Sequence, residues 1–157
     1  MEYVLTLLKP DAVESGIGEE VLGRMVDAAR GRVRTAQVLQ MTPELVGAHY
    51  PHVVGKAFYP SIERYMLRSP VLAAVLEGTE GAIRRIREVL GATDPRLAAR
   101  GTIRQRFGRV EDGDMFTVAH ASEDQKSAWQ EISRFFSEAH IRQHIPEIAD
   151  RVFGQHL

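Results

Sequence analysis

Apolar and polar positions along the chain follow two alternating periods, and each change of period marks a change of element. Residues 3–8, Tyr-Val-Leu-Thr-Leu-Leu, are apolar apart from Thr6. A strand apolar on both faces belongs in the middle of a covered sheet, and Lys9-Pro10-Asp11 is expected to stop it. From Gly18 to Ala29 the period lengthens, with Val21, Leu22, Met25, Val26 and Ala29 at helical spacing and Gly31 to end the helix. From Arg32 to Met41 the chain is β-prone, Val33, Thr35, Gln37 and Leu39 alternating against Arg34, Ala36, Val38 and Gln40. Thr42-Pro43-Glu44 then combines a hydroxyl cap, a proline suited to the first helical position and an acid, the signature of a helix start. That helix runs towards Tyr50, where Pro51 interrupts. Pro60 opens another short helix, with Ile62, Tyr65 and Met66 on one face, and Ser69-Pro70 breaks it. Residues 71–76 predict a buried strand. Glu80 to Leu90 predicts an amphipathic helix, apolar at Ile83, Ile86, Val89 and Leu90 and closed by Gly91.

Residues 92–108 carry no strong period and hold arginines at 96, 100, 104 and 106. A loop of that length inside a compact domain is more often functional than idle. Asp112-Gly113 is a turn signal. Met115–Ala119 reads as the last strand and Ser122–Phe136 as the last long helix. The resulting order, β-α-β-α-α-β-α-loop-β-α, predicts an α/β fold, a ferredoxin-like split βαβ sheet covered by helices, with residues 1–157 as a single domain. The length, 157 residues with 44% hydrophobic positions, allows a real core. Twenty basic residues against twenty-one acidic ones argue against a nucleic-acid partner held by global charge. Without cysteine there is no disulfide, thiolate nucleophile or Cys-ligated zinc. No apolar run approaches the roughly 20 residues of a membrane span. Met1–Asp11 reads as a first strand rather than a signal peptide. Cytoplasmic residence without membrane contact is the expectation.

Within that frame, one of the six histidines lies where a strand gives way to a helix, in Thr117-Val118-Ala119-His120-Ala121-Ser122. Alternation along a strand puts His120 on the face of Phe116 and Val118. Ser122 with Gln125 reads as a capping box, which aims the free N–H groups of the following helix near His120. A helix start carries roughly half a positive charge and suits an anion. Neutral imidazole can attack a phosphoryl group, and a covalent intermediate divides one transfer into two. A histidine at a strand end is also commonly structural or exposed, so the local pattern alone leaves both readings open. The other motifs are weaker. Gly16-Ile17-Gly18 lacks the third glycine of a dinucleotide fingerprint, and no phosphate-binding P-loop pattern exists. His140 and His144 could share a helix face as metal ligands, but a third ligand is not apparent, so the pair reads as a solvated face and no metal site is assigned. Arg84, Arg85 and Arg87 line the polar side of a helix, and Arg84 can pair with Glu88.

Six stretches in register resemble the nucleoside diphosphate kinase family. They are residues 6–13 (TLLKPDAV), 16–25 (GIGEEVLGRM), 49–66 (HYPHVVGKAFYPSIERYM), 69–78 (SPVLAAVLEG), 87–104 (REVLGATDPRLAARGTIR) and 120–136 (HASEDQKSAWQEISRFF). The resemblance implies that His120 accepts the terminal phosphate of a nucleoside triphosphate and passes it to a nucleoside diphosphate. Glu131 would hydrogen-bond the imidazole and fix its tautomer, Ser122 would support the site, and Tyr50 would lie near His120 and Lys9. Lys9 would meet the nucleotide phosphates. Arg87, Thr93 and Arg104 would hold the β- and γ-phosphates, with Mg²⁺ arriving with the nucleotide. Phe58, assisted by Ile62, would stack on the base, although two residues so spaced also suit a plain core. Thr117 takes the place of a nucleotide-binding asparagine. The family assembles as tetramers or hexamers, which implies a homo-oligomer here.

The chain departs from the family pattern at several points. Thr117 and Ala121 stand where the family usually has asparagine and glycine, and alanine is strained if the backbone there needs positive φ. The segment 105–116 is a few residues longer than usual around Glu111-Asp112-Gly113-Asp114, and this acidic stretch either repels a triphosphate or is a harmless hairpin. Arg104-Gln105-Arg106-Phe107 puts a base at Arg106 where an acid is usual. Three readings follow: the family's phosphotransfer, a kinase with a specialised acceptor, or a nucleotide-binding or scaffolding relative with weak or lost turnover. Retention of His120, Glu131, Lys9, Arg87, Thr93 and Arg104 favours the first.

Overall fold

The computed structural model describes residues 1–154. Four strands form one antiparallel sheet: β1 (Glu2–Leu8), β2 (Arg32–Leu39), β3 (Val71–Gly78) and, near the C-terminal end, β6 (Ala119–Ala121), in the spatial order β2-β3-β1-β6. This is the split βαβ order anticipated from the sequence. The apolar runs of β1 and β3 sit at its centre because both their faces are covered. Period-two alternation divides each strand between two cores. Val4 and Leu8 of β1 and Ala74 and Leu76 of β3 face α2 (Gly18–Ala29) and α5 (Ala82–Leu90), packing against Met25 and Ile86. Leu5, Leu7, Ala73 and Val75 face the opposite layer, against Val46, Met66, Ile132 and Phe135.

That second layer contains α3 (Pro43–His49), α4 (Tyr59–Leu67), α7 (Gln125–Phe135), α8 (Glu138–His144) and α9 (Ala149–Phe153). Thr42 caps α3 as expected, its hydroxyl accepting from Leu45 N–H at 3.2 Å. Where the register of β2 against β3 shifts between Val33 and Thr35, Arg34 drops out of the ladder. Its guanidinium pairs with Glu77 of β3 and Glu147 of the 3₁₀ turn Pro146–Ile148, tying the C-terminal segment to the sheet. Gly31 and Gly78 let α2 and the end of β3 approach: a Cβ on Gly31 would lie 1.7 Å from the Glu77 carbonyl oxygen.

The structure departs from the sequence reading in several places. Lys9-Pro10-Asp11 ends β1 but also opens a helix, α1 (Pro10–Ser15), since proline at the first position needs no N–H partner. Residues 92–108 include a short helix, α6 (Ile103–Phe107), capped by Thr102. The predicted strand Met115–Ala119 is two strands: β5 (Asp114–Phe116) pairs in a hairpin with β4 (Arg109–Glu111), and β6 alone joins the main sheet. The last long helix starts at Gln125, not Ser122, and its cap is Asp124, whose carboxylate accepts from Ser127 N–H at 2.7 Å. Finally, His140 and His144 do share a face of α8, but they stack on each other, 4.2 Å between centroids, with His140 bonded to Thr35. Arg84 pairs with Glu88 as anticipated, at 2.8 Å.

Candidate active site

The site is built around a break in the chain. Between β5 and β6, Ala119 N–H donates to Thr117 O at 2.7 Å across Val118, whose φ is 69°. This is the γ-turn form that demands positive φ, rare and strained, the more so for a β-branched residue. Its surroundings hold it. Asp11, buried in α1, accepts from Val118 N–H at 3.2 Å with one carboxylate oxygen and from the Tyr65 hydroxyl with the other. Lys9 N–H donates to Val118 O at 2.9 Å. Arg104 spends three of its five donors on the carbonyls of Thr117, Ala119 and Gly91, at 3.1, 2.8 and 3.0 Å. The turn separates the hairpin from the sheet and interrupts the alternation, so His120 does not share a face with Val118, which packs in the core under α2 and α5, while Phe116 packs against the opposite core. His120 pairs instead across from Leu7 of β1.

Once in β6, His120 is held by α7. Its Nε2 lies 2.8 Å from Glu131 Oε2. A carboxylate only accepts, so Nε2 carries the proton and Nδ1 keeps its lone pair. The same Oε2 accepts from Ser122 Oγ at 2.9 Å, and Ser122 Oγ in turn accepts from Leu5 N–H at 3.0 Å. Ser122 therefore fixes Glu131 to β1 instead of capping a helix. Burial holds the His120 imidazole below the ordinary histidine value against the pull of Glu131, with Lys9 and Arg104 adding to the depression. The free side chain is thus neutral at pH 7, the form that can act as a nucleophile.

His120 lines a cavity of about 400 Å³ together with Lys9, Tyr50, Arg87, Thr93, Arg104 and Glu131. A second cavity of about 230 Å³ shares Lys9, Tyr50 and Thr93 with it and extends past Thr117 to Phe58, just before α4, and Ile62 on α4. The structure therefore brings the sequence-predicted residues together along one continuous groove. Lys9 Nζ donates to Thr117 Oγ1 at 2.6 Å and sits 5.9 Å from the centroid of the Tyr50 ring. Burial, with Arg104 nearby and Asp11 opposing, pushes the Lys9 ammonium down to about 7. Burial raises the Tyr50 hydroxyl, which stays neutral. Arg104 is lowered to about 10 by burial and Arg87 and remains charged. Arg87 donates to Ala121 O at 3.2 Å.

Several departures from the family pattern find their places. Ala121 lies in extended β6 without positive φ, so its methyl group causes no backbone strain. Arg106 turns away from the groove to Glu20 of α2, at 3.6 Å, and over the Phe107 ring. The lengthened 105–116 segment is spent on the hairpin, whose tip borders the smaller cavity.

Two functional neighbours escape a reading of sequence alone. Asp11, visible only as the last residue of the Lys-Pro-Asp turn, secures the γ-turn. His49, the last residue of α3, lies edge-on to His120 with ring centroids 4.5 Å apart. Arg134 Nη1 and His49 Nδ1 are 3.2 Å apart, which places the His49 proton on Nε2. Among the described residues, Nε2 of His49 is the one buried side-chain polar atom without a hydrogen-bond partner.

Comparisons with known proteins agree with this construction. The sequence model described as nucleoside diphosphate kinase matches residues 2–141. A nucleoside diphosphate kinase of Pasteurella multocida is 40% identical over 141 residues, covering 90% of this chain and 98% of its own. One from Rhodopirellula baltica is 39% identical over 137 residues, 87% of either chain. Among solved structures, a nucleoside-diphosphate kinase from Borrelia burgdorferi, a transition state mimic with bound vanadate and ADP, matches with a TM-score of 0.77 at 30% identity over 88% of either chain. A groove of this build, on this fold and in this sequence, places the chain in the nucleoside diphosphate kinase family.

Proposed function

We propose that this nucleoside diphosphate kinase moves the terminal phosphate through His120. One observation carries the assignment: Glu131 and Ser122 hold Nε2 in its protonated form, leaving Nδ1 with a lone pair in a cavity ringed by Lys9, Arg87 and Arg104. In the first half-reaction Nδ1 attacks the γ-phosphorus. An N–P bond forms as the P–O bond to the β-phosphate oxygen breaks, and the nucleoside diphosphate leaves. A second nucleoside diphosphate reverses the step on phospho-His120. Phosphoryl transfer is chiefly positioning and charge neutralisation; Arg87 and Arg104 line the cavity of His120 as cations, and Lys9 beside them gains its full charge when a phosphate binds. Lys9, Arg87, Thr93 and Arg104 bind the phosphates in this reading. Tyr50, kept neutral, packs its ring beside the Lys9 ammonium while its hydroxyl donates to Met66 Sδ at 3.7 Å. Phe58 and Ile62 receive the base, and Thr117 positions the Lys9 ammonium.

Mg²⁺ belongs to the proposal as the nucleotide's companion. It would be carried by the phosphate oxygens of the nucleotide. When bound it neutralises developing charge on those oxygens. We also read residues 1–157 as one domain that assembles with copies of itself. Leu97, 77% exposed on the loop before α6, and Val38, 64% exposed on edge strand β2, leave apolar surface for such a contact, and sedimentation would give the number of copies. Among the described residues no helix is long and apolar enough to cross a membrane.

The test is direct. Incubation with Mg²⁺ and ATP labelled in its terminal phosphate, followed by removal of free nucleotide, should leave acid-labile, alkali-stable label on the protein but none on His120→Ala. Nucleoside diphosphates should discharge it. ATP binding without label would make the chain a binding relative and overturn the proposal.

A further inference from the structure

The hairpin has a second feature besides its place beside the site. Its strands pair with each other alone, joined by Asp112 and Gly113 with φ of 52° and 82°, the two-residue turn whose twist matches its strands. Phe116 fastens its base. That ring meets Tyr65 of α4 edge-on at 5.2 Å and lies between the guanidinium groups of Arg68 and Arg109, at 5.6 and 4.3 Å. With the base anchored, Gly113, Asp114 and Met115 form one bank of the smaller cavity, and Phe58 and Ile62 form the other. Each bank leaves a large apolar side chain uncovered, Met115 41% exposed and Phe58 53% exposed. A flat ring fits between a thioether and an aromatic face.

Asp114 stands on this wall three residues before Thr117, the partner of Lys9. At about 3.3 Å per strand residue, Asp114 lies roughly 10 Å from the Lys9 end. That spacing sets its carboxylate apart from the phosphate end, on the stretch of wall that faces Phe58 and Ile62.

We infer that Asp114 selects the base, favouring guanine and disfavouring uracil and thymine. This rests on the phosphotransfer reading of the groove. A carboxylate only accepts hydrogen bonds. Guanine offers two adjacent donors, N1–H and the N2 amino group, which match the two carboxylate oxygens. Adenine and cytosine offer an amino group beside a ring-nitrogen acceptor. Uracil and thymine offer one ring N–H flanked by two carbonyl oxygens, which the carboxylate repels. Met115 and Phe58 grip any base, and Asp114 ranks them.

Calorimetric titration of the full chain with GDP and with UDP, at fixed Mg²⁺ and salt, tests this without requiring turnover. The wild type should bind GDP about tenfold more tightly than UDP. Asp114→Ala should bring the two within about twofold, through loss of GDP affinity, with a melting temperature that shows the hairpin is still folded. Asp114→Asn, whose amide can accept from N3–H and donate to a uracil carbonyl, should bind UDP more tightly than the wild type does. Equal wild-type affinities, or a preference that survives Asp114→Ala, overturns the inference alone. Failure of both nucleotides to bind overturns the phosphotransfer reading and this inference with it.

Discussion

Two imidazoles meet edge to face in the larger cavity, and their hydrogen bonds set them different tasks. His120 has a carboxylate on Nε2; His49 has a guanidinium at Nδ1 and, among the described residues, no hydrogen-bond partner at Nε2. Burial, with His120, Arg134, Lys9 and His52 adding to it, pushes His49 down to about 2. In the unfolded chain the same group titrates near ~6.5. Below that pH the unfolded state therefore takes up a proton that the folded state refuses. The stability His49 permits is complete above about pH 6.5 and lost as pH falls, by up to about 1.4 kcal/mol per pH unit. His49→Phe should accordingly flatten the dependence of the urea midpoint on pH between about pH 6 and pH 4; the lowered His120 and His140 leave a residual slope. An unchanged slope would mean that His49 is not held neutral. His120 was legible in the sequence through the six stretches that resemble the family, since its local pattern of strand, histidine and helix left a structural role open. His49 was not, since a lone histidine at a helix end has no pattern of its own and gains meaning only when α3 is laid against β6.

Among the elements, β6 and α7 show where local rules mislead. Ser122 and Gln125 have the spacing of a capping box, yet Gln125 exchanges hydrogen bonds with the backbone of Tyr3 and Ser122 serves Leu5 and Glu131. Tertiary partners took both side chains, and Asp124 caps instead. Asp124→Ala should cost about 1 kcal/mol in urea unfolding and leave the rate of phosphate labelling unchanged. Ser122→Ala should slow labelling as well, since it frees Glu131. Equal effects of the two on labelling would mean that Ser122 does not position Glu131. The γ-turn at Val118 was equally invisible, because no residue preference asks for valine at positive φ and the contacts with Asp11, Lys9 and Arg104 impose it. The elements with strong periodicity, β1, α2 and β3, appear where the pattern put them.

At the scale of the molecule, the two cores are one cooperative unit, since neighbouring residues of β1 and β3 point into opposite cores. Ile86 and Ile132 are both fully buried, one on either side of the sheet. Ile86→Ala and Ile132→Ala should each cost about 2–5 kcal/mol and move the whole urea transition to lower midpoint with its slope unchanged. A second transition in either variant would show that the cores unfold separately. The layering was legible from the two-sided apolar strands, whereas the helices after residue 136 were not, because their apolar residues are few and short runs carry little period.

The pairing of β1 with β6 also fixes a chronology. Lys9 to Thr117, Asp11 to Val118 and Leu5 to Ser122 join residues 108, 107 and 117 positions apart. A chain made from its N-terminus can lay β2 and β3 beside β1 early, but the nucleophile and the turn that aims it emerge only near the end of synthesis. Until then one side of β1 is an unpaired apolar edge, open to other chains. A ribosome-bound chain arrested before Thr117 would hold three strands of the sheet, α2 and α5, with His49 in place but not His120; arrival of the last segment covers the edge and completes the site in the same step.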